Sequence, residues 1–142
     1  MSTTTALDPT FAAARPTRRR TLRSVGAVLG GLVATFVATT AVDIMLHAAG
    51  VYPALGVRMA DALFLLALGY RIPLNIGGSY VAARLAPDRP LRHALALGWV
   101  GVVIATVGAI ALGSQGPIWY ALANIVIALP CAWVGGKIAS RG

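Results

Sequence analysis

Four apolar runs, at about 25–47, 61–85, 93–113 and 118–136, constrain this chain more than any other feature. A bilayer core takes roughly 20 apolar residues in a helix, so each run is long enough to cross it. Inside lipid the backbone must satisfy its own hydrogen bonds, which a helix does. Composition agrees: 58% of the residues are hydrophobic and 11% charged, against about 25% charged in a soluble domain. The expectation is an all-α integral membrane four-helix bundle, preceded by a basic, flexible tail at 1–24.

The runs differ in character. The first leads from Val25 into Asp43 and His47 near its far end. The second is the least apolar and carries Arg71, Pro73 and Asn75 in its middle. A broken or re-entrant element is the alternative there, but the flanking charges favour a full span. Pro87-Asp88-Arg89-Pro90 reads as a turn, since proline disfavours helix at the residue before it. Ser114-Gln115-Gly116 forms the next turn, and Pro117 suits the first turn of a helix.

Charge sets the expected orientation. The net charge is +8, from 12 basic and 4 acidic residues. Arg15, Arg18, Arg19, Arg20 and Arg23 precede the first span, Arg84, Arg89 and Arg92 lie around the turn between the second and third spans, and Lys137 and Arg141 follow the last span. In a four-span arrangement these all fall on one side, with Arg58 alone on the other and Arg71 within the membrane. The positive-inside rule then places both termini in the cytoplasm. Bases set between apolar runs argue against nucleic acid and for anionic lipid headgroups as their partners. The first 24 residues read as a cytoplasmic tail. Thr17-Arg18-Arg19-Arg20-Thr21-Leu22-Arg23 also approaches a twin-arginine export signal, and the Arg-rich, acid-poor composition leaves an organellar transit peptide open.

Polar groups inside the runs are the candidate sites. Asp43 and His47 are four residues apart on one helix face, as are Arg71 and Asn75, while Asn124 lies inside the fourth run. Intramembrane ionisable groups face a bundle interior or an aqueous cavity, where they bind a solute or proton, or tie helices together. Arg71 is expected to meet Asp43. Gly30 and Ala34, then Gly78, then Gly101, Ala105 and Gly108 are candidate helix-packing positions, because small side chains let backbones approach closely in lipid.

Several chemistries are disfavoured. Asp43 and His47 are too few ligands for a metal, and His93 is expected on the opposite side. Cys131 is the lone cysteine and there is no glutamate. Metalloprotease, nucleophile-elbow and P-loop patterns are missing. No catalytic residue and no cofactor is implied. Trp119-Tyr120 and Trp133 fit the interfacial aromatic belts.

Two stretches carry a resemblance: Tyr70-Arg71 with Gly77-Gly78-Ser79-Tyr80-Val81-Ala82-Ala83-Arg84-Leu85-Ala86-Pro87, and Ala128-Leu129-Pro130-Cys131-Ala132-Trp133-Val134-Gly135-Gly136-Lys137. Over roughly residues 60–140 the chain resembles a group of small bacterial four-span membrane proteins. The resemblance implies bacteria and the inner membrane, and carries no activity with it. Size, short loops and the lack of catalytic motifs point to an accessory or structural subunit. The alternative is a small oligomeric transporter or channel with an intramembrane Arg/Asp site. A homo-oligomer and a larger membrane complex both remain open.

Overall fold

A computed structural model of the chain describes residues 18–54, 56–112 and 116–141. It is all-helical, with four helices in the order α1 (Arg18–Ala48), α2 (Asp61–Leu85), α3 (Pro90–Leu112) and α4 (Ile118–Ala139). Three of them, α1, α3 and α4, are long and apolar enough to cross a membrane. α2 has the length, but Asp61, Arg71, Asn75 and Arg84 dilute its apolar character.

α1 begins about two turns before the expected boundary at Val25, so Arg18, Arg19, Arg20 and Arg23 are helical rather than part of a flexible tail. Residues 1–17, the rest of that expected tail, lie outside the described residues. Between Val25 and Arg18 there is no proline or glycine to stop the helix from extending backwards. α2 runs unbroken through Pro73, and α4 through Pro130. Each proline removes one backbone hydrogen bond and clashes with the preceding turn, yet neither ends its helix, and no re-entrant break occurs. Pro90 occupies the first position of α3, where the missing amide costs nothing. Arg89 just before it turns the chain with φ 48°.

Successive helices run antiparallel, which gives the bundle two distinct ends. The turn end holds the start of α1, the α2–α3 turn and the end of α4. Arg20 marks it by pairing with Asp88 at 3.3 Å, an exposed pair that adds little stability. The loop end holds the α1–α2 loop and the α3–α4 connection, where Gly116 lies against Phe64.

The turn end is packed through residues with almost no side chain. A Cβ added to Gly31 of α1 would sit 2.6 Å from Ala82 Cβ and 2.6 Å from the Gly78 carbonyl oxygen of α2. At Gly98 of α3 it would lie 2.6 Å from Ala132, and at Gly136 of α4, 2.7 Å from Ala94. At Gly135 it would meet Ser79 Cβ at 2.8 Å. Ala82, Ala94 and Ala132 are fully buried. Among the described residues no large side chain is fully buried, while Phe36, Ile110 and Val126 are 70%, 82% and 68% exposed. A water-soluble fold does the reverse. Helices that meet through glycine and alanine, with their large apolar groups turned outward, are arranged for lipid, where close packing replaces the hydrophobic effect.

Of the expected packing positions, Gly78 is the tightest: a Cβ there would collide with the Thr35 hydroxyl. Gly30 meets only the flexible end of Leu85, at 2.8 Å. Ala34 and Ala105 are half-buried. Gly101 makes ordinary contact with Ala128 at 3.6 Å. Gly108 must be corrected. Nothing lies within 4 Å of a Cβ placed there, because Gly108 borders a cavity between the helices.

Candidate functional site

Where the close packing stops, a cavity begins. Its volume is about 590 Å³, and all four helices line it, within the usual range for small-molecule sites. Most of the wall is apolar, from residues such as Leu32, Ile104, Ala121 and Ile125. Phe64, Gly116 and Pro117 frame it at the loop end. Phe36 and Ile104 also line it and are 70% and 53% exposed, so the cavity opens sideways between α1 and α3.

The polar lining comes mainly from one face of α2 and one face of α4. Arg71 and Asn75 are four residues apart, as are Tyr120 and Asn124, and all four reach the cavity. Asn124 donates a hydrogen bond to the Tyr120 carbonyl at 2.8 Å, which occupies part of its side chain. The Arg71 guanidinium lies 6.0 Å from the centre of the Tyr120 ring, at the outer range of a cation–π contact.

Arg71 also faces Asp43, with Nη2 and Oδ2 3.6 Å apart. Helix geometry explains how they meet. Arg71 follows Asp61 by ten residues, about 15 Å along α2. Asp43 precedes the end of α1 by five, about 7.5 Å. The arginine leans toward the N-terminus of its own helix, which is the loop end, and its length covers the difference. The pair is loose enough that Asp43 takes its shortest contact from elsewhere: the Tyr70 hydroxyl donates to Oδ1. Tyr52, from the α1–α2 loop, donates in turn to the Tyr70 oxygen at 3.4 Å.

His47 does not join this network through the Asp43 carboxylate. Its Nδ1 donates to the Asp43 backbone carbonyl at 2.8 Å, and its ring meets Tyr52 edge-on at 5.3 Å. The side chain is exposed. No cluster of three metal-ligating side chains occurs among the described residues. Cys131 is buried in α4.

Two donors around the cavity have no partner. Arg71 Nε is buried without a hydrogen bond. The Asn75 amide makes none among the described residues, although it lines the cavity.

Periodicity reached Asp43, Arg71, Asn75 and Asn124, but missed the tyrosines. Tyr70 is next to Arg71 and therefore on a different helix face. The available signal was a tyrosine hydroxyl within an apolar run, which needs a partner once buried. Tyr52 lies in a loop, where periodicity has nothing to say. The Gly30-Gly31 and Gly135-Gly136 pairs were visible in the sequence, but that Gly31 is the one clamped against the α2 backbone, and that Gly135 and Gly136 face α2 and α3 respectively, was not.

Comparison with protein families, with curated proteins and with solved structures finds no match.

Proposed function

We propose that the chain is an integral protein of the bacterial inner membrane, with four spans and both termini in the cytoplasm, and that it acts as an accessory or structural subunit. The observation that carries the functional part is that the cavity is blind. Its polar groups lie at mid-depth and toward the loop end, and the turn end is filled by Gly31, Gly78, Gly98 and Gly135 with their alanine and serine neighbours. A conducting path needs polar groups or water along its length, and the packed half offers only a pocket of about 50 Å³ beside Asn75 and Ser79 among its glycine and alanine contacts. Arg71, Asp43 and Tyr70 tie α1 to α2 instead. A protein of this kind acts through what it touches in the bilayer, as a homo-oligomer or within a larger complex.

The charge distribution supports the orientation. α1 begins with Arg18, Arg19, Arg20 and Arg23, the α2–α3 turn carries Arg84, Arg89 and Arg92, and α4 ends on Lys137 with Arg141 beyond. All of them belong to the turn end, which the positive-inside rule puts in the cytoplasm, against anionic headgroups. α2 counts as the fourth span because it runs beside α1 and α4 for its length and its polar groups turn inward to them. Reporter fusions after Gly56 and after Asp88 should report opposite faces, with the second cytoplasmic. The same face at both positions would remove α2 as a span. For the subunit role, purified protein in liposomes should pass no solute, and a membrane partner should co-purify at fixed stoichiometry. Solute flux that depends on Arg71 would replace this reading with a transporter.

A further inference from the structure

We infer that the lateral cavity is a binding site for a neutral, hydrocarbon-soluble lipid whose head presents carbonyl oxygens, such as a prenylated quinone. The inference rests on the membrane reading and adds a ligand to it.

The first consideration is the cavity itself. An apolar void of about 590 Å³ is poorly suited to water, which needs several polar partners at each position. Its mouth lies between exposed apolar side chains of α1 and α3, including Phe36 and Ile104. In a bilayer that mouth faces acyl chains, so the molecules able to enter are those already dissolved among them.

The second is the unpaired donors. Arg71 Nε is buried without a hydrogen bond, and the half-buried Asn75 amide, one helical turn away on the same face of α2, makes none among the described residues. A buried donor left unsatisfied is costly in any low-dielectric setting. Acceptor oxygens on the head of an entering molecule would satisfy these groups.

The third is charge. Asp43 stands 3.6 Å from Arg71, so the cation already has its counter-ion. A phosphate or carboxylate arriving at Arg71 would meet the field of that aspartate. A neutral carbonyl accepts from Nε without meeting such repulsion.

Depth supplies the fourth. Arg71 and Asn75 lie about 15 and 21 Å along α2 from Asp61, well inside a core about 30 Å thick. Phospholipids keep their ester groups at the interface. A head that reaches these donors must itself be soluble in hydrocarbon. Phe64 and Tyr120, whose rings pack 5.0 Å apart in the cavity wall, offer flat apolar surface to a ring-shaped head.

Tryptophan fluorescence tests this directly. Trp119 packs edge-on against Phe64 at 6.5 Å, so a W99F/W133F chain leaves one reporter beside the cavity. The full chain in nanodiscs is titrated with a decyl-substituted benzoquinone, and separately with palmitate and with phosphatidylglycerol. Saturable quenching by the quinone is expected, with palmitate and phosphatidylglycerol failing to compete. N75L should raise the half-saturating concentration about tenfold, the effect of losing one hydrogen bond in this setting. Among the described residues the Asn75 side chain makes no hydrogen bond, so the variant should retain its fold. G108L, which points a side chain into open space at the cavity, should abolish saturation while leaving thermal stability intact. Linear quenching, equal quenching in wild type and N75L, or equal competition by palmitate overturns the inference. Since the fusions establish topology separately, failure here in a chain of proven topology leaves the membrane reading standing.

Discussion

Two glycines of α1 should respond oppositely to the same small change. At Gly31 an added methyl would sit 2.6 Å from Ala82 Cβ and 2.6 Å from the Gly78 carbonyl oxygen. Those partners are a Cβ and a backbone atom, neither of which can rotate away. Relief requires α1 and α2 to separate, and that separation also weakens the contact of Gly31 with Leu97 of α3. Overpacking of this kind costs about 1–3 kcal/mol. In a soluble helix, glycine to alanine would return up to about 1 kcal/mol through helix propensity. In a bilayer the separated helices are already formed, so that compensation largely disappears and most of the penalty remains. At Gly26, one turn earlier, nothing lies within 4 Å of the new methyl, and the change should stay within about 0.5 kcal/mol of neutral. The assay is thermal unfolding of G31A and G26A in one detergent, monitored by loss of helicity and by aggregation. G31A should unfold several degrees below wild type, with G26A indistinguishable from it. Equal shifts in the two variants would refute the argument that backbone proximity at Gly31 holds α1 to α2.

Three further outcomes follow from the same geometry. D43N and R71Q should each lower thermal stability, and D43R with R71D should recover part of the loss; silence of D43N beside a damaging R71Q would mean that the pair holds no stabilising energy. Y70F removes the hydroxyl that binds Asp43 and should cost about 0.6 kcal/mol, the mean for hydrogen bonds between membrane helices, measured by denaturant titration in mixed micelles; a cost near that of D43N itself would give Tyr70 rather than Arg71 the main role. On α3, G98L should abolish assembly, because the new side chain meets Ala132, whereas G108L should be tolerated; equal damage at both positions would mean that the cavity closes in the membrane.

How much of this was legible in sequence depended on the range of the interaction. Helix number and extent are set by runs of apolar residues, and the local cost of an unpaired backbone in lipid is enough to specify them. The structure starts α1 earlier than expected: four arginines suggest a loop, but arginine is a good helix former and no breaker lies between Arg18 and Val25. The Arg71–Asp43 approach was within reach of sequence reasoning because both residues lie in apolar runs, and depth along a helix follows from residue count. What only the tertiary structure decided is which face of each helix meets which neighbour. Gly108 and Gly98 look alike as letters in one small-residue series, yet one is clamped against Ala132 and the other borders a void. The difference comes from where the cavity lies, a property of several helices at once. Tyr70 likewise joins the site only through the packing of α2 on α1, and Tyr52 only because the α1–α2 loop brings it to Tyr70. Periodicity orders side chains around one axis, whereas a cavity is the space that several axes leave between them.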